Sequence, residues 1–125
     1  MKTKIFILII FCLSLLYSCK KKEESQFTFY LEYFDSVQNC KTCSLFIDGQ
    51  EKFSNQLCFK GVTPNATIFS VPISTGNHTI KAEIKEDSKI FEQVIKFTNN
   101  DKFGYLTYNT NSGITFTLSP TGGID

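Results

Sequence analysis

Apolar and polar side chains alternate along most of the chain after residue 25, which is the pattern of β-strands that bury one face. The segment HTIKAEIK (residues 78–85) shows the alternation most clearly, because its even-numbered positions are apolar or histidine and its odd-numbered positions are polar. In QFTFYLEYF (residues 26–34) the odd-numbered side chains are aromatic or leucine and share one face. ITFTL (residues 114–118) repeats the pattern with threonines on the outside. These segments predict strands.

Short segments rich in glycine, proline, asparagine and aspartate separate the strands, at residues 48–50, 61–65, 74–77, 86–89, 99–102 and 109–113. No long segment has helical periodicity, and no internal repeat is evident. We therefore predict an all-β fold, a single antiparallel β-sandwich of about seven to eight strands. It covers residues 26–119, and residues 120–125 form a flexible tail.

The first residues have the features of a secretory signal peptide. Lys2 and Lys4 precede an apolar run at residues 5–16. A membrane-spanning helix needs about 20 apolar residues, so this run is too short to be one. A basic start followed by a short apolar run predicts a cleaved leader.

The sequence LYSC (residues 16–19) resembles the lipobox of bacterial lipoproteins. The resemblance implies cleavage between Ser18 and Cys19, removal of residues 1–18, and acyl chains such as palmitate on Cys19. Cys12 fits less well, because bulky Phe11 would stand at the cleavage position. An ordinary secreted protein with an unmodified Cys19 is the alternative.

The residues after Cys19 are interpreted as a charged tether that ends at residue 25. Its Lys22-Glu23-Glu24 resembles the signal that sends Bacteroidota lipoproteins to the outer face of the outer membrane. The resemblance implies a lipid-anchored protein of the outer membrane that faces the cell surface. A plain charged spacer, with the domain on the periplasmic face, is the alternative.

The charge of the chain argues against nucleic acid as a partner. All 13 basic residues are lysines, and Lys2 and Lys4 lie in the leader, which leaves fewer lysines than the 12 acidic residues of the mature part. No basic face is available to neutralise phosphates.

Three cysteines follow Cys19, namely Cys40, Cys43 and Cys58. In an oxidising compartment they predict one disulfide and one free thiol. We expect Cys58 to pair with Cys43, which opens a predicted strand, in preference to Cys40, which falls in a predicted loop. Three reduced thiols, a redox-active Cys40–Cys43 pair and a zinc site with His78 are the alternatives.

Several turns along residues 45–84 resemble those of the PEGA-type β-sandwich of bacterial surface proteins. The matching residues after the Asp48-Gly49 hairpin are Gly61, Thr63, Pro64, Gly76, His78 and Thr79. The resemblance implies a PEGA-like sandwich, and an immunoglobulin-like or transthyretin-like sandwich fits the same pattern. A shared fold implies no activity.

No catalytic site is predicted. His78, the only histidine, begins a strand on its inward face, so we interpret it as a core or turn residue. The acidic pairs Glu23-Glu24 and Glu86-Asp87 are interpreted as solvated. No motif of a serine hydrolase, zinc protease, nucleotide-binding loop or calcium loop occurs in the sequence. We therefore predict neither an enzyme, nor a metal, nor a cofactor.

The candidate partner surface consists of aromatic side chains on strand faces: Tyr30, Phe34, Tyr105 and Tyr108. Tyr30 and Phe34 lie on the face of their strand opposite to the predicted core, so either both faces are buried or an aromatic patch is exposed to a partner.

In addition, DSV (residues 35–37) resembles an O-glycosylation acceptor of Bacteroidota envelope proteins, which implies a glycan on Ser36.

The sequence as a whole predicts a non-enzymatic, surface-anchored lipoprotein whose β-sandwich binds a protein or glycan partner in the cell envelope. The alternative is a structural accessory subunit or spacer of an envelope complex, with no ligand of its own. A redox protein that uses Cys40 and Cys43 is a third hypothesis. A binder predicts an apolar patch on one sheet face, a spacer predicts uniformly polar faces, and a redox protein predicts an accessible, paired CxxC.

Overall fold

The computed structural model describes residues 23–61 and 66–120, in which the regular structure consists of eight β-strands. In chain order they are β1 (Glu24–Phe34), β2 (Asn39–Ile47), β3 (Gln50–Phe59), β4 (Thr67–Ser74), β5 (Gly76–Ile84), β6 (Lys89–Phe97), β7 (Phe103–Asn109) and β8 (Gly113–Ser119). Sheet A has the strand order β4-β1-β7-β8, and sheet B has the order β3-β2-β5-β6. The predicted all-β sandwich is confirmed.

Several sequence predictions fall on residues that the structure does not describe. The leader at residues 1–18, the lipidation site Cys19 and most of the tail, residues 121–125, lie outside the described residues. β1 begins at Glu24, so the last two residues assigned to the tether belong to a strand. No helix in the described part of the chain is long and apolar enough to cross a membrane.

The centre of sheet A differs from the antiparallel arrangement that the pattern predicts. β1 and β7 lie side by side and parallel, whereas every other neighbouring pair of strands is antiparallel. Within this parallel pair Tyr30 is in register with Tyr105, and Tyr33 is in register with Tyr108. A parallel pair requires a long connection, and here β2 to β6 supply it.

Successive strands run in opposite directions, so the connections fall into two groups. Those of β1–β2, β3–β4, β5–β6 and β7–β8 meet at one end of the sandwich, which we call the loop end. The other end, which we call the terminal end, holds the remaining connections together with Glu24 and Ser119, where the regular structure begins and ends.

The core lies between the two sheets and is formed by the inward side of each strand. The aromatic face of β1 is fully buried, as are the apolar positions of β5 that the alternation identified. No polar or charged residue of the described ranges is buried. The buried hydrophobic residues are Phe27, Phe29, Leu31, Tyr33, Cys43, Leu45, Ile47, Leu57, Val71, Ile73, Ile80, Ala82, Ile84, Phe97, Leu106 and Tyr108.

Glycine is required at one position of the core. A β-carbon on Gly104 would lie 2.7 Å from Cζ of Phe116 and 2.8 Å from Cζ of Phe27, which is closer than real β-carbons approach other atoms. The missing side chain lets these two rings reach the backbone of β7.

At the terminal end, Asp48 (φ 51°) and Gly49 (φ 79°) form the tight hairpin turn that the Asp-Gly sequence predicts.

Candidate functional site

The outer face of sheet A carries a row of apolar and aromatic side chains, which we call the tyrosine face: Ile68, Tyr30, Tyr105 and Phe103. Ile68 on β4 is in register with Tyr30 on β1, and Tyr30 with Tyr105 on β7. The two tyrosine rings stack with centroids 5.0 Å apart and planes 16° apart, and the Phe103 centroid lies 6.1 Å from that of Tyr30. Ile68 is 58% exposed, and the three rings are half-buried.

Polar groups border the tyrosine face. Thr28, two residues before Tyr30 on β1, is in register with Ser70 on β4, and their hydroxyls lie 2.8 Å apart. This pair borders the tyrosine face on the side of the terminal end. On the loop-end side, Glu32 is in register with Thr107. No described strand packs over this face. Aromatic side chains framed by hydroxyl and carboxylate groups offer both apolar contact and hydrogen bonds to a partner.

The four aromatic residues singled out from the sequence separate into two groups. Tyr30 and Tyr105 lie together on the tyrosine face, and Phe34 lies on the same face at the end of β1, opposite Asn109. Tyr108 was assigned to the surface wrongly: it is only 2% exposed and stacks on Tyr33, with ring centroids 5.5 Å apart. The reason is strand alternation, because Tyr108 stands three positions after Tyr105 and therefore points to the opposite side of β7.

The outer face of sheet B is more polar. Lys81 lies over the ring of Phe46, 5.4 Å from its centroid, and forms an ion pair of 3.0 Å with Glu83. Apolar exposure on this face is concentrated on the edge strand β6, where Ile90 and Val94 are 64% and 62% exposed. The two outer faces are therefore unlike, and only that of sheet A carries stacked aromatic rings across neighbouring strands.

At the loop end, the two buried tyrosines of the core reach carboxylates. Tyr33 donates its hydroxyl hydrogen to Asp35, and Tyr108 donates to Asp87. Lys41 forms a 2.8 Å ion pair with Asp87. Three connections, β1–β2, β5–β6 and β7–β8, are thereby tied together, since Thr110 also donates to Asp35 at 3.2 Å.

The electrostatics of this network keep its groups in their ordinary charge states. Burial, together with the bond to Asp35, raises the pKa of Tyr33 well above its usual value, and burial and Asp87 raise the pKa of Tyr108 to about 12. The Tyr33 hydroxyl lowers the pKa of Asp35 to about 2. Lys41 and then Tyr108 hold the pKa of Asp87 below its usual value, and Asp87 raises that of Lys41.

Within the acidic pair Glu86-Asp87, which we interpret as solvated, Glu86 is exposed, whereas Asp87 is partly buried beside Lys41 and Tyr108. Glu86 accepts hydrogen bonds from the backbone N–H of Thr42 at 2.7 Å and from its hydroxyl at 2.6 Å. These bonds lower the pKa of Glu86. Both acids of the turn therefore bind residues of β2, namely Lys41 and Thr42, and the turn is fixed to the neighbouring strand.

His78 lies at the terminal end, between two turns. Its Nδ1 is 2.5 Å from Oδ2 of Asp48, and its Nε2 is 2.8 Å from the carbonyl oxygen of Ser74 and 3.1 Å from the Ser74 hydroxyl. The ring also packs edge-on against Phe97, with centroids 5.7 Å apart. Asp48 additionally accepts a bond of 2.9 Å from the backbone N–H of Thr79. A hollow of about 330 Å³ opens beside these residues.

The order serine, histidine, aspartate is that of a catalytic triad, but the bonds describe a different role. The Ser74 carbonyl oxygen, at 2.8 Å, is nearer to Nε2 than the hydroxyl is, at 3.1 Å, so the shortest contact of Nε2 is to the backbone rather than to a nucleophile. The ring therefore joins the Asp48 turn to the Ser74 turn, as expected for a turn histidine.

The favoured disulfide was wrong, because Cys58 pairs with Cys40. The two residues are in register on β2 and β3, with Cα atoms 4.1 Å apart. Cys43 stands three positions after Cys40, so strand alternation turns its side chain to the opposite face, into the core. The CxxC sequence consequently forms no pair, and burial raises the pKa of the free Cys43 thiol to about 12.

A metal site needs several ligands in one place. Within residues 23–61 and 66–120, no group of three or more histidine, cysteine, aspartate or glutamate side chains is placed to hold a metal ion. The proposed zinc ligands are separated, since Cys40 and Cys58 are joined to each other at the loop end and His78 lies at the terminal end.

The predicted glycosylation site, Ser36, is exposed in the β1–β2 connection at the loop end. Its backbone N–H donates to Asp35 at 2.7 Å, which fixes the connection at its first residues. The neighbouring Val37 is also exposed, at 62%.

Comparison with known proteins finds no family model that matches the chain and no curated protein that matches it. The PEGA-type resemblance stays a prediction, and two of its residues, Thr63 and Pro64, lie outside the described residues.

The arrangement of the cysteines predicts a defined pattern of reactivity. Peptide mapping without reduction should recover a Cys40–Cys58 cross-link, and Cys43 should react with an alkylating reagent only in denaturant. Substituting Cys58→Ser should lower the free energy of unfolding by about 3 kcal/mol, because the bond closes a loop of moderate length. Cys43→Ala serves as the control and should keep the cross-link. Recovery of a Cys43–Cys58 peptide would contradict the structure.

The network at the loop end predicts acid sensitivity. The pKa of Asp35 is about 2 in the folded chain and about 3.9 in an unfolded chain, so its contribution to stability is complete above about pH 5 and is lost as the pH falls towards 2. Tyr33→Phe removes the main cause. A carboxyl NMR titration should place Asp35 near 2 in the natural protein and nearer 4 in the variant. Equal titration midpoints would refute the assignment.

Proposed function

We propose that this protein is a non-enzymatic, lipid-anchored β-sandwich whose tyrosine face binds a protein or glycan partner in the cell envelope. The single observation that carries the proposal is the stacked Tyr30–Tyr105 pair beside the exposed Ile68 on the outer face of sheet A. Tyrosine is enriched in binding surfaces because its ring provides apolar area and its hydroxyl provides a hydrogen bond.

The tyrosine face favours a binder over a spacer. A spacer with no ligand predicts polar outer faces, and sheet B comes nearer to that pattern through its lysine–glutamate pair and its Ser44–Ser54 contact of 3.1 Å. On sheet A, the cross-strand rings are already stacked on each other in the chain alone, so binding requires little ordering of these side chains. The spacer remains the second candidate because the rings are half-buried rather than fully exposed.

Two features support the non-enzymatic part of the proposal. Both ring nitrogens of His78, the only histidine of the sequence, contact turn residues: Nδ1 contacts Asp48, and Nε2 contacts the Ser74 carbonyl. The thiol of Cys43 is buried, and its pKa of about 12 keeps it protonated, so it is a poor nucleophile. A redox role for Cys40 and Cys43 conflicts with their position on opposite faces of β2.

The lipid anchor is supported by the resemblance of LYSC to a lipobox, and the outer-membrane location by the resemblance of Lys22-Glu23-Glu24 to a Bacteroidota export signal. Cys19 precedes the first residue of β1 by five positions, so a fully extended tether reaches about 18 Å. An anchor of this length holds the sandwich close to the headgroups. We place it on the outer membrane facing the cell surface, with the periplasmic face as the alternative, and we place an O-linked glycan on Ser36.

Anchoring is tested by the lipidation site. Cys19→Ser should leave the protein uncleaved or release it into soluble fractions, whereas the natural protein should enter the detergent phase with the mass of a lipidated mature chain. Cys12→Ser is the matched control, because it changes a cysteine of the leader without touching the lipobox, and its partitioning should not change. A Cys19→Ser variant that still enters the detergent phase at the mature mass would exclude the lipoprotein assignment.

Binding is tested by removing the two rings. Tyr30→Thr combined with Tyr105→Thr removes both rings and introduces β-branched side chains, which suit a strand. It should abolish recovery of the partner from detergent-solubilised envelopes of the native host. Phe46→Thr on the outer face of sheet B is the control and should retain the same partner. Thermal unfolding of each variant verifies that the fold persists. If the double variant retains everything that the natural protein retains, the tyrosine face is not the binding surface.

A further inference from the structure

The four edge strands of the sandwich are not equally protected against pairing with another strand. In sheet B, β3 carries Glu51 and Lys52, and β6 carries Lys89, Glu92 and Lys96. In sheet A, β4 contains Pro72, which has no N–H to offer a neighbour. β8 contains neither a charged residue nor a proline. Charges and prolines are the usual devices that keep an edge from pairing, and β8 is the one edge strand of the described sheets that carries neither, whereas the two charges of β3 stand at its start.

The side chains of β8 are suited to a neighbour. Ile114, Phe116 and Leu118 point inward, pack against the core and remain half-exposed at the flank of the sandwich. Thr115 and Thr117 point outward and are exposed. An additional strand beside β8 would cover the flank of the three apolar side chains.

A second copy of the same strand fits this edge. In an antiparallel pair centred on Phe116, Thr115 of one copy lies opposite Thr117 of the other, and Ile114 lies opposite Leu118. Side chains directly opposite each other point to the same side of a sheet, so outer faces meet outer faces and cores meet cores. When a strand pairs with a second copy of itself, any charged side chain comes close to a like charge of the other copy. β8 contains no charged residue, so its self-pairing meets no such repulsion.

The other edge of sheet A limits the assembly. β4 is interrupted by Pro72, so a sheet extended through β8 ends at β4 of each copy. A two-fold pair through one edge is therefore closed and does not grow into a fibre.

From these observations we infer that β8 is a dimerisation edge, which joins two copies through their sheets A into one continuous eight-stranded sheet. The two tyrosine faces then lie on the same side of the joined sheet. The two chain starts lie at opposite ends of it, so the anchoring proposed above would lay the strands along the membrane surface. The inference itself does not depend on anchoring or on a partner.

Charge substitution on β8 tests the inference with two differently tagged copies of the full chain, expressed together and extracted in mild detergent. The natural copies should co-purify. Thr115→Lys with Thr117→Lys should reduce recovery of the second copy about tenfold, because two lysine pairs would face each other. Thr115→Glu with Thr117→Glu should reduce it similarly. Mixing the lysine variant with the glutamate variant should restore co-purification, which also shows that both variants are folded.

The matched control places lysines at the same spacing on the opposite flank. Ser54→Lys with Gln56→Lys lies on the edge strand β3 and should leave co-purification unchanged. Two results would overturn the inference: natural copies that do not co-purify, and a lysine variant that self-associates as strongly as the natural protein. A third result would also overturn self-pairing: the tagged copies do not co-purify, and a β8 variant instead fails to recover a different protein that the natural chain recovers. That result would mean that β8 binds another partner.

Discussion

The structure depends on the parallel, in-register pairing of β1 with β7 at the centre of sheet A. One register sets three contacts of different kinds. On the outer side it stacks Tyr30 on Tyr105, and on the inner side it stacks Tyr33 on Tyr108. It also sets Phe29 opposite Gly104, where the absent side chain leaves room for the rings of Phe27 and Phe116. A shift by one residue would exchange the two faces and bury the candidate binding surface.

The two tyrosine pairs have different consequences because their hydroxyls meet different surroundings. The inner pair sits in the core, and its hydroxyls require acceptors, which Asp35 and Asp87 supply at the loop end. Lys41 compensates the second of these charges. Satisfying two buried hydroxyls therefore fixes the connections of the loop end. The outer pair has no such demand, so its polar groups remain available at the surface.

Much of this fold could be predicted because strand alternation is a local property. The inward faces of β1 and β5 follow from residues 26–34 and 78–85 alone, and the Asp48-Gly49 turn follows from its dipeptide. The two wrong assignments overlooked strand alternation. Cys43 stands three positions after Cys40, and Tyr108 three positions after Tyr105, so each side chain points to the side opposite to that residue. Applying alternation to the cysteines would have selected the Cys40–Cys58 pair.

The remaining features could not be predicted because they depend on contacts between distant segments. The sequence contains no local signal that β1 pairs with β7 rather than with β2, and the carboxylates of the loop end have partners in other connections. The same holds for His78, whose partners come from two separate turns. Alternation assigns a face to each side chain, whereas tertiary pairing decides which faces become neighbours.

If a partner covers the tyrosine face in the envelope, its rings should be protected there from oxidation by hydroxyl radicals. Footprinting compares side-chain oxidation in intact envelopes with that of the purified protein. Tyr30 and Tyr105 should be oxidised several-fold less in the envelope, while Phe46 on the outer face of sheet B should be oxidised equally in both. Equal oxidation of Tyr30 and Tyr105 in the two samples would show that no partner covers this face.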